Sequence, residues 1–158
     1  MSKVHAVTPQ SGIGALLLGA HFIDAYRTTV DGDSLDATAA ARQMLGRQSG
    51  WVRGMMGLRN ALVRPFGLKT GQPSEDPRGR VGIFPINSAT PNRVVLGFPD
   101  KHLDFCLVVD VSARDGTSEI TATTLVRTNN LLGRIYLAAI LPFHKLVVRS
   151  ALSRVERR

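Results

Sequence analysis

The sequence predicts an α+β fold in which a curved antiparallel sheet packs against a long C-terminal helix. Three observations lead to this prediction. The strand-like segments of the second half follow one another without intervening helices, which favours an antiparallel sheet over a parallel one. Residues 102–111 alternate with period two, a pattern typical of a strand with one buried face and one largely solvated face. Residues 129–157 are apolar around much of the helical circumference, and a strongly curved sheet would cover such a helix best.

The first half of the chain predicts one strand and two helices. Residues 21–30 are rich in β-formers and end at an Asp-Gly-Asp turn, so we expect a strand there. An alanine-rich helix follows over residues 36–47. A second helix over residues 51–64 stops before Pro65, because the residue preceding a proline avoids the α region. The apolar stripe of this second helix consists of Trp51, Met55, Leu58 and Leu62.

The second half predicts a meander of strands and then the long helix. Together with the first strand, five strands can be placed, the last four over residues 80–86, 93–98, 102–111 and 119–128. Asp115-Gly116 marks the turn of the last hairpin. Asn129 or Asn130 should cap the final helix, and Pro142 should kink it by removing one hydrogen bond.

Length and cysteine content predict one intracellular domain. A chain of 158 residues fits a single domain over 1–158, with residues 1–18 as a lead-in segment anchored by Leu16 and Leu17 and residues 69–79 as a polar loop. Cys106 is the one cysteine, so no internal disulfide can form, which fits a reducing compartment. The short apolar run 12–20 makes a poor signal peptide. We therefore expect a soluble, cytoplasmic protein.

The charge of the chain permits polyanionic partners without requiring them. The formal net charge is +8, and the aromatic content of 6% is too low for a base-stacking platform, so we expect no specific nucleic-acid binding. A basic stripe of Arg134, Lys145 and Arg149 could give weak contact with an anionic membrane. The same charges also complement the dipole at the end of their own helix. The sequence leaves the oligomeric state open.

Three residues are weak candidates for catalysis. His102 and Asp104 lie two apart on a strand and point to the same side, but two ligands are too few for a zinc site, so no metal is predicted. They could equally be a surface pair. His144 follows the predicted kink and could act as an acid or base, or simply bond a neighbouring carbonyl. The sequence holds no P-loop, EF-hand or Ser-His-Asp pattern, and we expect no cofactor.

A second group of residues could line an apolar cavity between the sheet and the final helix, or could equally be plain core. Arg59 interrupts an apolar stripe and would need a carboxylate, for which Asp104 is one candidate, or a ligand anion. The candidate ligand-binding residues are Trp51, Met55, Arg59, Phe105, Tyr136, Ile140 and His144.

Several short segments carry a resemblance to a known family. The segments, in chain order, are Trp51-Val52, Leu58-Arg59-Asn60, Phe66-Gly67-Leu68, residues 81–85, His102-Leu103-Asp104-Phe105, residues 130–134 and Pro142-Phe143-His144. From about Gly19 to Leu152, the chain resembles the bacterial DUF2867 family, a domain of unknown function, within the helix-grip (START-like, SRPBCC-like) superfamily. The resemblance implies a helix-grip fold and no established activity. Such a sheet usually has six or seven strands, so either an edge strand near 69–79 is missing from the prediction or the sheet is shortened.

The resemblance and the apolar lining together favour a non-catalytic module that binds a small hydrophobic or amphipathic ligand. One alternative is a cyclase-like or hydrolase-like enzyme, which would need at least two of His144, His102 and Asp104 to converge. The other alternative is a peripheral membrane or partner-binding protein that uses its basic C-terminal helix.

Overall fold

The computed structural model describes residues 4–32, 35–45, 79–81, 84–98, 103–153 and 155. These residues form a curved, seven-stranded antiparallel sheet with the strand order β1-β2-β7-β6-β5-β4-β3. The strands are β1 His5–Val7, β2 Phe22–Asp31, β3 Arg80–Val81, β4 Phe84–Ala89, β5 Arg93–Phe98, β6 Leu103–Arg114 and β7 Thr117–Thr128. A 3₁₀ turn spans Ile13–Leu16, and the two described α-helices are α1 Ala37–Leu45 and α2 Leu131–Ser153. The predicted α+β class is therefore correct, and the arrangement fits a helix-grip fold.

The β6–β7 hairpin is the centre of the sheet. Its two twelve-residue strands pair from Arg114 opposite Thr117 to Leu103 opposite Thr128. Asp115 and Gly116 both have positive φ, 53° and 77°, as the right-handed twist of a tight hairpin requires. The predicted hairpin turn is confirmed.

One side of the sheet, here called the inner face, carries Leu107, Val109 and Val111 of β6 and packs against both helices. Helix α1 contributes its buried alanines and Met44 to this core. The end of α2 contributes Val148, Ala151, Leu152 and, just beyond it, Val155. Asp36 caps α1, since its Oδ1 accepts from Ala39 N at 2.6 Å, and Asn130 caps α2 in the same way through Gly133 N at 3.0 Å.

The opposite side, the outer face, carries Asp104, Cys106, Val108 and Asp110 of β6, and the expectation that it is largely wet was wrong. A second core cluster lies there, formed by Ile13, Val95, Cys106, Val108 and Leu125 with Leu17 and Ala20 packed against them. The 3₁₀ turn covers this face because Ile13 inserts into it. Leu17 anchors the lead-in segment as expected, whereas Leu16 is exposed. The same cover buries Leu125 on the outer face of β7.

Helix α2 bends by 58° between Leu131–Ala139 and Leu141–Ser153, which confirms the predicted kink at Pro142. In the described part of the chain, neither α1 nor α2 is a straight helix long and apolar enough to span a bilayer. The two bent halves of α2 meet that test only when they are taken together.

Two short edge strands explain why five strands were predicted and seven are found. The three-residue β1 pairs with β2, with His5 opposite Arg27, and no strand was expected there. The predicted strand over residues 80–86 is divided into β3 and β4, which pair as Arg80–Pro85 and Val81–Phe84. The predicted second helix over 51–64 and almost all of the loop over 69–79 lie outside the described residues.

Candidate functional site

The candidate site is an ionisable pair between α2 and the inner face of the sheet. His144 Nε2 lies 3.0 Å from Asp24 Oδ2 and 3.2 Å from Oδ1. A carboxylate only accepts hydrogen bonds, so Nε2 must carry the proton that it donates. The two side chains are 14% and 20% exposed, which leaves the pair half-buried but still reachable from solvent.

The local structure explains how the two residues meet. Asp24 lies two positions before the buried Tyr26 on β2, so both side chains project from the inner face. His144 follows Pro142 by two residues, where α2 turns over β2. Phe22, two positions before Asp24, meets the imidazole edge to face, with ring centroids 5.6 Å apart at 83°. The aromatic contact and the carboxylate together fix the orientation of the imidazole ring.

Two further polar groups of β2 continue this row on the inner face. The pKa of Tyr26 is raised, first by burial and then by the negative charge of Asp24, with Arg149 opposing. The phenol therefore ionises only at a pH above its ordinary pKa of 10.0. Thr28 is fully buried, and its hydroxyl has no hydrogen-bond partner in the described part of the structure. The inner side of β2 thus presents Phe22, Asp24, Tyr26 and Thr28 in sequence.

The ligand-binding residues predicted from sequence fall partly within the described structure. Phe105 is half-buried on the inner face against the main core, and Tyr136 is half-buried in the first half of α2. Ile140 belongs to α2 near the bend, and its side chain is outside the described residues. Trp51, Met55, Arg59 and His102 also lie outside the described residues.

Asp104 and His144 do not converge. Asp104 is buried on the outer face, where Arg127 of β7 pairs with its carboxylate and also donates to Leu18 O at 3.0 Å. His144 contacts Asp24 on the inner face. The sheet separates the two residues, so an acid-base pair of Asp104 and His144 is excluded. Asp24 was not among the residues predicted from the sequence, because only the packing of α2 on β2 brings it to His144.

The outer face carries a polar cleft of about 760 Å³. Arg93 lines the cleft and binds both carboxylate oxygens of Asp110, with Nε at 2.6 Å and Nη2 at 3.3 Å. The hydrogen bond to Asp110 raises the pKa of Arg93. Gln10 accepts from the same guanidinium at 2.7 Å. The cleft depends on the lead-in segment folding over the sheet, so no local sequence pattern could have indicated it.

Cys106 is buried on the outer face, and burial raises the pKa of its thiol to about 11. A thiol in that state is a poor nucleophile at neutral pH. In residues 4–32, 35–45, 79–81, 84–98, 103–153 and 155, no group of three His, Cys, Asp or Glu side chains could hold a metal ion.

Comparison with the sequence models of protein families gives a match over most of the chain. No curated protein matches the chain. The sequence model of the family described as "Protein of unknown function (DUF2867)" matches residues 16–151, which is most of the chain and includes α1, all but the last two residues of α2 and all strands except β1. The chain therefore belongs to the DUF2867 family.

Proposed function

We propose that this domain is a non-catalytic binding module that holds a small amphipathic molecule between the inner face of the sheet and helix α2. The observation that carries the proposal is the Asp24–His144 pair, which places two ionisable groups at the seam between helix and sheet. Ligand sites are mostly apolar and contain a few polar groups that fix orientation. This seam has that composition, because Phe22 contacts the pair and the core adjoins it.

The hydrogen-bonding capacity of the pair indicates which polar group the ligand would carry. His144 donates to Asp24, and a carboxylate still has acceptor sites left after one such bond. The free hydroxyl of Thr28 lies two residues beyond Tyr26 on the same face. A ligand with a hydroxyl group at one end would donate a hydrogen bond to a remaining acceptor site of Asp24. Its apolar body would pack on the aromatic residues.

Binding is favoured over catalysis by where the reactive groups lie. Tyr26 is protonated at neutral pH in any case, and burial raises its pKa further, so it is a poor base. Cys106 and Asp104 project from the outer face. Neither Cys106 nor Asp104 can therefore act together with the Asp24–His144 pair, whereas a hydrolase-like or cyclase-like mechanism needs a nucleophile or a second acid beside it.

Native mass spectrometry and thermal melting of the full chain test the proposal. We expect 1-decanol to raise the melting temperature and to give a one-to-one adduct, with Asp24→Asn and His144→Ala weakening both effects. His5→Ala is the matched control, because His5 is exposed on β1. A wild-type protein that shows no adduct and no shift with decanol or decanoate would contradict the proposal. Equal binding by the wild type and both variants would show that the ligand binds at a site other than this pair.

A further inference from the structure

Helix α2 exposes large apolar side chains on the side that faces away from the sheet. Leu131 is 71% exposed and Leu146 is 59% exposed. The buried side of the same helix is formed by Gly133, Val148, Ala151 and Leu152. The remaining exposed large apolar residues of α2 are Ile135, Leu141 and Phe143.

The spacing of these residues makes one continuous surface, here called the α2 stripe. Leu131, Ile135, Pro142 and Leu146 follow one another at intervals of four, seven and four residues, which places them on one side of a helix. All four are exposed. The bend at Pro142 divides the stripe into two segments but leaves both directed to solvent.

Basic side chains accompany the α2 stripe on its own helix. Arg134, Lys145 and Arg149 are exposed on the same helix. The sequence contains no aspartate or glutamate from Ile120 to Val155. An apolar stripe flanked by Lys and Arg is the composition of helices that lie in the interface of an anionic membrane. The apolar side chains enter the headgroup boundary while the basic side chains meet the phosphates.

The charges also argue against a second copy of the chain as the partner of the stripe. A two-fold dimer buries the same patch of both molecules. Such a dimer would bring Arg134, Lys145 and Arg149 of one copy close to those of the other, with no acidic residue on this helix to neutralise them. Like charges placed opposite one another oppose association.

We propose that the α2 stripe docks the domain on the surface of an anionic lipid bilayer. This docking is independent of ligand binding at the Asp24–His144 pair, because His144 lies on the side of α2 that faces the sheet. Each basic residue near an anionic surface contributes about a five-fold gain in affinity. The exposure of these apolar residues in the free protein makes their burial in the headgroup region favourable.

Vesicle co-sedimentation of the full chain tests this proposal. We expect binding to phosphatidylcholine vesicles that contain phosphatidylserine, little binding to phosphatidylcholine alone, and loss of binding at high salt. Arg134→Gln and Lys145→Gln should each weaken binding about five-fold. Ile135→Ser should weaken it by about ten-fold. Arg114→Gln, at the exposed hairpin tip, is the control that should leave binding unchanged.

Three results would overturn the proposal. One is no vesicle binding at low salt by a wild-type protein that is folded by circular dichroism. Another is vesicle binding that Arg134→Gln, Lys145→Gln and Ile135→Ser leave unchanged. The third is concentration-dependent self-association, measured by light scattering, that Ile135→Ser abolishes while vesicles remain unbound, since that would assign the stripe to a second copy.

Discussion

Asp24 and His144 are 120 residues apart in sequence, and their side chains meet at 3.0 Å where the bent helix α2 crosses β2. The pair forms a polar contact between the C-terminal helix and β2, the strand next to the sheet edge. Because the two side chains are only part-buried, their contribution to stability is moderate, and solvent screens part of it.

Replacing His144 with alanine should lower the free energy of unfolding by about 1–2 kcal/mol. The substitution leaves Asp24 half-buried without its donor and removes the edge contact with Phe22. Urea denaturation measures the change, and His5→Ala on the exposed edge strand should change stability by less than about 0.5 kcal/mol. A loss at His144 no larger than that at His5 would contradict this account.

The sequence predicted the hairpin of β6 and β7 because its signals are local. Period-two alternation defines β6, and Asp115-Gly116 defines the turn. The Asp24–His144 pair has no such local signal, since only tertiary packing brings β2 and α2 together. The resemblance of short segments to a family predicted the fold, but it did not predict the contact between Asp24 and His144.

Two expectations from the sequence were wrong, each for its own physical reason. Alternation in β6 shows which residues share a face, but it does not show what covers that face. Here the lead-in segment places Ile13 on Cys106 and Val108, so the second face is buried as well. The three-residue β1 was missed because so short an edge strand has no recognisable period.

Gly97→Ala should be among the most destabilising single substitutions in the sheet, with a loss of about 3 kcal/mol or more in the free energy of unfolding. Gly97 has φ of 149°, and a Cβ atom there would overlap the carbonyl oxygen of Phe105 on the neighbouring strand. The added Cβ atom is fixed to the backbone of Gly97, and the atoms that it meets belong to the backbone of β6. No flexible side chain can therefore move to relieve the overlap.

Gly12→Ala is the matched control for that substitution. Gly12 also has positive φ, 82°, but a Cβ atom there would meet nothing within 4 Å. The control isolates the conformational cost of positive φ, about 1 kcal/mol. Equal losses for Gly97→Ala and Gly12→Ala in urea denaturation would show that the contact with Phe105 is not the cause.

The thiol of Cys106 should react slowly in the folded protein and normally once the protein is unfolded. Burial raises its pKa to about 11, so at pH 9 roughly 1% of the folded thiol is ionised. Alkylation with iodoacetamide at pH 9, followed by mass spectrometry with and without urea, measures both rates. A native rate close to the rate in urea would place Cys106 in an accessible environment.

The same shift gives Cys106 a defined effect on stability at alkaline pH. The folded pKa lies above the ordinary thiol pKa of 9.0, so the unfolded chain loses its thiol proton first as the pH rises. Stability should therefore fall between about pH 9 and pH 11, since the folded state binds more protons there. Cys106→Ala should remove this part of the decline, and the difference between the two unfolding curves isolates it from the titration of Tyr26.

Thr28→Val should stabilise the apoprotein by up to about 1 kcal/mol. The Thr28 hydroxyl is fully buried and has no partner among the described residues, so the nearly isosteric valine removes an unsatisfied polar group. Thr29→Val, at the next and exposed position of β2, is the control and should change stability little. Thermal melting in the absence of ligand measures both.

The same substitution separates a structural role of Thr28 from a role in binding. If the hydroxyl contributes to the proposed ligand site, Thr28→Val should melt at a higher temperature than wild type and yet gain less from added decanol. If Thr28 contributes only to the core, the Thr28→Val protein should be more stable than wild type and should show the same increase in melting temperature with decanol. The Asp24–His144 pair is unchanged in this variant. Loss of stability in Thr28→Val would show instead that the hydroxyl has a partner in the folded protein, since a buried group left without its partner costs about 1–3 kcal/mol.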